Sequence, residues 1–200
     1  MQPFGLTGGI GCGKSTVAEL LARHHDVLIF NSDQIAKQIM ADIRHWPRMQ
    51  TILGQSIINC GHIDFAEIAR IIFADAKKKH DLEQLIHPLV WSHIQNMITW
   101  SPANKIPIVE AAILYEVGWE KNFAGIIVAT CAPVEQCRRL RENRHMDEDA
   151  IAKRINQQMP LTEKETRADF IVHTDCTLTE LEARVALLYN QLAEYIRLHP

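Results

Sequence analysis

The chain has 200 residues, 47% hydrophobic and 22% charged, a globular composition that can bury roughly 70% of the unfolded surface without a metal or disulfide staple. Lysine and arginine number 21 against 24 aspartate and glutamate, for a net charge of -3, so the chain lacks the basic footprint of a nucleic-acid binder. No apolar run is long enough to span a bilayer. The scattered cysteines, Cys12, Cys60, Cys131, Cys137 and Cys176, show no C-x-x-C spacing. With a glycine-rich turn too near the amino end to leave room for a signal peptide, the expectation is a cytoplasmic protein with reduced thiols and neither nucleic acid nor membrane as partner.

Short apolar runs alternate with amphipathic stretches, the pattern of an α/β fold with a largely parallel sheet. A strand over 4–7, with Pro3 at its start, leads through a glycine-rich turn into a helix over 14–23 that carries Val17, Leu20 and Leu21 on one face. A second strand is expected over 27–30. The region 42–101 then breaks the alternation. Asp64 caps a helix over 65–73, and Leu82, Leu85 and Ile86 continue the apolar periodicity. Pro88 suits the first position of a new helix reaching Trp100, with His87 as its cap. Consecutive helices between two strands read as an insertion, closed by the turn Ser101-Pro102-Ala103-Asn104. Strands follow over 106–114 and 125–130, then two short helices over 134–142 and 147–157 and a strand over 170–173. Thr177 opens the last helix with Glu180 completing a capping box, and Leu181, Val185, Leu188, Leu192 and Ile196 recur along one face.

The segment Gly8-Gly9-Ile10-Gly11-Cys12-Gly13-Lys14-Ser15 satisfies G-x-x-x-x-G-K-[ST]. Its glycines let backbone N–H groups converge on phosphate oxygens, Lys14 reaches the β- and γ-phosphates, and the Ser15 hydroxyl holds Mg²⁺. The helix beginning at Lys14 adds an N-terminal dipole that favours anions. A strand leads in and a helix leads out, the context this motif requires. Nucleoside triphosphate binding follows, with Gly8, Gly9, Gly11, Cys12, Gly13, Lys14, Ser15 and Thr16 as the cradle. A thiol at that helix start is expected to have a lowered pKa, so alkylation of Cys12 should block ATP binding.

Ligands of open parallel sheets bind beyond the carboxyl ends of the strands, and Asp33, Glu110 and Glu116 all fall after or within such strands. Asp33 suits the base that takes a proton from an acceptor hydroxyl; the competing reading is a helix cap, with Ser32 as rival. Glu110 could organise Mg²⁺ or serve as the buried partner of a basic side chain. Arg138, Arg139, Arg141 and Arg144, with Lys153 and Arg154, read as a small helical lid over 134–159 that closes cations on the γ-phosphate, or else as a solvated helix face. Asn104-Lys105-Ile106-Pro107 lacks the aspartate of a guanine-reading N-K-x-D motif, which disfavours a GTPase. A small-molecule kinase remains, with a nucleoside or nucleoside-monophosphate kinase and a nucleotide-gated binding switch as rivals. His87 either caps its helix or touches substrate. No histidine spacing suits a metal, and the four tryptophans read as packing residues.

In chain order these residues resemble the dephospho-coenzyme A kinase family. The segment Gly5-Leu6-Thr7-Gly8-Gly9-Ile10-Gly11-Cys12-Gly13-Lys14-Ser15-Thr16 is similar to its phosphate loop, with Cys12 where serine is common, and Ser32-Asp33-Gln34-Ile35-Ala36 is similar to its acidic segment. His87-Pro88-Leu89-Val90, Ala112-Ile113-Leu114-Tyr115-Glu116, Arg154-Ile155-Asn156-Gln157-Gln158-Met159-Pro160 and Ala168-Asp169-Phe170-Ile171-Val172 continue the likeness over nearly the whole chain. The resemblance implies transfer of the ATP γ-phosphate, with Mg²⁺, to the ribose 3′-hydroxyl of dephospho-coenzyme A. It implies a P-loop kinase core (1–41, 102–133 and 160–200), a helical substrate-binding insertion (42–101) and the lid. Asp33 falls at the catalytic carboxylate, Lys14, Arg141 and Arg144 join it in catalysis, Arg139 joins the nucleotide contacts, and His87 and Glu116 fall in substrate-binding segments. Three departures stand out: Asn143 where arginine is usual, Phe65 in place of a frequent arginine, and His173-Thr174 where Asp-Asn is common.

Overall fold

The computed structural model describes residues 2–199. Strand β1 (Phe4–Gly8) runs through the middle of a five-stranded sheet ordered β2-β5-β1-β6-β7, where β2 is Val27–Asn31, β5 is Ile106–Glu110, β6 is Ile126–Thr130 and β7 is Phe170–His173. β1 pairs in parallel with β5 and β6, and β6 pairs in parallel with β7. Every residue of β1, β5 and β6 is buried, which is why these strands read as unbroken apolar runs rather than as alternation. The register sets Leu6 opposite both Glu110 and Ile127, so the carboxyl ends of β1 and β5 lie side by side.

Helices α1 (Lys14–Leu21) and α9 (Leu178–Leu198) build the core against this sheet. α1 contributes Val17, Leu20 and Leu21, and α9 contributes Leu181, Val185, Leu188 and Leu192, all to one core with Phe4, Leu6, Ile108 and Ile127. Burying each such aliphatic side chain is worth about 1.5–3 kcal/mol. Phe4, Phe170 and Tyr195 meet edge to face, with centroids 5.6–6.1 Å apart. The expected capping box at Thr177 and Glu180 forms. The expected strand over 106–114 is shorter, because backbone pairing ends at Glu110 and residues 112–118 form turns. The helices expected over 134–142 and 147–157 are α6 (Pro133–Arg144) and α7 (Glu148–Asn156). A further helix, α8 (Leu161–Thr166), is one that sequence periodicity missed, being only 6 residues long.

The chain divides into two compact units, one comprising residues 1–30 and 101–200 and the other Asn31–Trp100. The second unit therefore begins earlier than the expected 42. α2 (Ser32–Ala41) packs on α5 (Ala76–Thr99), as do α3 (Trp46–Leu53) and α4 (Phe65–Ala74). Pro88 does not open a helix and His87 caps none: both lie inside α5. Pro88 forfeits only the bond to the Gln84 carbonyl. The buried series Leu82, Leu85, Ile86, Val90 and Ile94 continues on one face across it, and that packing offsets the loss. A hairpin of β3 (Ile58–Asn59) and β4 (His62–Ile63) turns through Cys60 and Gly61, both at positive φ (49° and 78°). That is the geometry of a tight two-residue hairpin, and Cys-Gly is an uncommon signal for it. Trp46, Trp91 and Trp119 are half-buried, whereas Trp100 is largely exposed, so the expected packing role does not extend to Trp100.

Candidate active site

The turn from β1 into α1 is built as the motif requires. Gly11 and Gly13 sit at φ 78° and 75°, a region that costs other residues conformational energy. Gly13 precedes α1 without any side-chain cap, so the first-turn amides of Lys14, Ser15 and Thr16 keep their donors for a ligand. Gly8, Gly9 and Cys12 complete the loop, and the Cys12 N–H closes a turn onto the Gly9 carbonyl at 3.1 Å.

Glu110 ends β5 beside this loop and is 4% exposed. Its Oε1 accepts from Lys14 Nζ at 2.5 Å and from Ser15 Oγ at 2.8 Å. Of the two alternatives left open for Glu110, the structure shows the buried partner of a basic side chain, and that side chain is the loop lysine itself. Ser15 Oγ and the Glu110 carboxylate present hard oxygen donors side by side, the set that suits Mg²⁺. No group of three or more His, Cys, Asp or Glu side chains able to hold a metal occurs among the described residues.

Arg139 is bound into the back of the loop. Its guanidinium donates to Thr174 Oγ1 at 2.9 Å and to the Thr174 carbonyl at 2.6 Å, and Thr174 Oγ1 donates in turn to the Cys12 carbonyl at 3.0 Å. The departure at position 174 thus carries a bond to the phosphate loop. The expectation for the Cys12 thiol is overturned. A hydrogen bond with Cys131 and burial push its pKa up, while the same bond holds the Cys131 thiol down. The side chain is fully buried, so proximity to the helix start does not activate it.

The arginine run divides. Arg138 pairs with Glu135 and Glu142 in solvent and is the solvated face, whereas Arg139 turns inward. Arg141 bridges to Glu148 of α7 at 2.9 Å, and Arg144 is exposed at the carboxyl end of α6. Glu116 Oε1 accepts the Met159 N–H at 2.8 Å and pairs with Lys164 at 2.9 Å. Lys164, fully buried, also donates to the Ala112 carbonyl at 2.9 Å. In this structure Glu116 therefore anchors the segment after α7, a role its sequence position did not reveal. Lys164 was itself overlooked because a lone lysine in a polar stretch reads as solvated.

Asp33 and His87 belong to the second unit. Asn31 caps α2, its Oδ1 accepting the Gln34 N–H at 2.9 Å, so neither Ser32 nor Asp33 is the cap. Asp33 stands exposed at the second helical position, two residues past the end of β2. His87 lies midway along α5, where burial lowers its pKa against the opposing pull of Glu83.

A family model described as dephospho-CoA kinase matches residues 3–180. Curated relatives of that name include one from Thermobifida fusca, 32% identical over 203 residues and covering 100% of this chain and 99% of its own. Another, from Aquifex aeolicus, is 31% identical and covers 96% and 98%. Among solved structures, TT1252 from Thermus thermophilus superposes with a TM-score of 0.83 at 28% identity, covering 97% and 98%. A dephospho-CoA kinase from Campylobacter jejuni (TM-score 0.64, 22% identity, covering 96% and 97%) shares the fold.

Proposed function

Given that the chain belongs to the dephospho-CoA kinase family, and so catalyses ATP-dependent phosphorylation of dephospho-CoA in coenzyme A biosynthesis, we propose how its own residues divide that task. The loop amides and Lys14 hold the triphosphate. Lys14 exchanges its pairing with Glu110 for the β- and γ-phosphates. The convergence of Lys14, Ser15 and Glu110 within 2.5–2.8 Å at the end of β5 supports this reading above all. Ser15 and Glu110 would hold Mg²⁺, which neutralises charge on the transferring phosphoryl group.

Asp33 takes the proton of the ribose 3′-hydroxyl. That oxygen forms the new bond to the γ-phosphorus as the bond to ADP breaks, and ADP leaves. Arg139 secures the loop from behind, and Arg141 and Arg144 close on the developing charge. Helices α6 and α7 (residues 133–156) serve as the lid. The unit Asn31–Trp100 takes the acceptor, with His87 and Asp33 among its contacts, and Glu116 is a further substrate-binding residue. The enzyme works in the cytoplasm; among the described residues no helix is long and apolar enough to cross a membrane.

An ADP-release assay with and without dephospho-CoA tests the reading. Release that depends on the acceptor, with the new phosphate on the ribose 3′ position, is the expected outcome. Equal release without acceptor, or phosphate on a different oxygen, would overturn it.

A further inference from the structure

Two glutamines outside the phosphate-loop motif grip its third residue, Ile10. Ile10 donates its N–H to Gln158 Oε1 at 2.9 Å, and its carbonyl accepts from Gln136 Nε2 at 2.8 Å. Both polar backbone groups of one loop residue are thus occupied by side chains 126 and 148 residues away in sequence. Gln136 is buried and is the fourth residue of α6; Gln158 is half-buried and lies two residues beyond the end of α7. The start of α6 and the segment just beyond α7 therefore both end on Ile10. The fit is close: a Cβ at Gly9 would stand 2.9 Å from Gln136 Nε2, and one at Gly11 would meet Leu140 of α6 at 3.0 Å.

We propose that Gln136 and Gln158 are positioning residues for the triphosphate: by clamping Ile10 they hold the glycine-flanked crest of the loop in its phosphate-ready shape and tie it to the roots of the α6–α7 hairpin. The inference rests on the loop's being the ATP site. Ile10 lies between Gly9 and Gly11, the residue type that loses most freedom on ordering. A loop ordered beforehand spends less of its binding energy on ordering itself. The chemistry of the two contacts is opposite, because Gln158 must accept and Gln136 must donate.

That opposition supplies the test. Replacing Gln158 by Glu leaves an acceptor for the Ile10 N–H, whereas Gln136→Glu sets a carboxylate against the Ile10 carbonyl, although both add the same charge. ATP affinity would be measured by calorimetry on the purified full-length protein, alongside steady-state KM values and melting temperatures without nucleotide. Gln136→Glu should weaken ATP binding more than Gln158→Glu, and the neutral Gln158→Leu should weaken it about tenfold, the scale of one lost hydrogen bond. KM for dephospho-CoA and the nucleotide-free melting temperature of Gln158→Leu should stay at wild-type values. Wild-type ATP affinity in Gln158→Leu, equal losses in the two Glu variants, or a loss that follows the melting temperature alone would overturn the clamp. Lys14→Ala is measured in parallel: ATP binding at wild-type strength in that variant would remove the ATP site itself, which separates its failure from that of the clamp.

Discussion

Asn31, not Asp33, caps α2, and this leaves the Asp33 carboxylate free of the bond that would otherwise have spent it on the helix start. A carboxylate acting only on the acceptor hydroxyl contributes to the transition state and little to nucleotide affinity. Asp33→Asn should therefore lower kcat by about 10²–10⁴-fold while ATP affinity measured by calorimetry stays close to wild type; wild-type turnover would take Asp33 out of the mechanism. Cys12 behaves contrary to what its position in the motif leads one to expect. Its partner Cys131 and its burial keep the thiol protonated, and a protonated, enclosed thiol is a poor nucleophile. Brief iodoacetamide treatment of the folded protein near neutral pH should label the exposed Cys60 while mass spectrometry finds Cys12 unmodified and ATP binding intact. Preferential labelling of Cys12 would show that the loop opens more than its burial allows.

At the scale of elements, the sheet around the loop tolerates no added bulk. A Cβ on Gly8 would strike the carbonyl oxygen of Ala129 in β6, a backbone atom that can move only by breaking the β1–β6 pairing. Gly8→Ala should therefore lose both thermal stability and ATP binding, read together by melting curves with and without nucleotide. The short helix α8 is held from inside by Lys164, which joins Glu116 to the Ala112 carbonyl. Removing one member of a buried ion pair strands the other. Lys164→Met should thus cost about 3 kcal/mol, or about 10 °C in melting temperature for a domain of this size. The double variant Lys164→Met, Glu116→Gln should recover part of that loss, since it strands no charge; no recovery in a double-mutant cycle would show that the lysine matters only for packing.

For the whole molecule, a ligand that binds only the folded state stabilises it by mass action, about 2.7 kcal/mol at a hundredfold excess over Kd. ATP should raise the melting temperature of the wild-type protein accordingly, and Lys14→Ala should abolish most of that rise while leaving the nucleotide-free protein folded. An equal rise in both would place the triphosphate elsewhere. The division at Asn31 assigns Asp33 and His87 to one unit and Lys14, Ser15 and Glu110 to the other, so the proposed base and the phosphate loop are built on separately packed units.

Local chemistry was legible from the chain alone. Four glycines, a lysine and a serine at fixed spacing can serve little else than a phosphate, unbroken apolar runs announce buried parallel strands, and Thr177 with Glu180 announces a helix start. Each of these depends on residues close together in the chain. Contacts between distant segments stayed hidden. Glu110 meeting Lys14 and Ser15, Gln136 and Gln158 meeting Ile10, Lys164 meeting Glu116, and Pro88 carried within a helix by the apolar face around it all depend on packing between segments dozens to more than a hundred residues apart. A side chain's protonation and its partners are set by what surrounds it in three dimensions. The type of chemistry could therefore be read from neighbours in sequence, while the assignment of each charged group to a task required the folded neighbourhood.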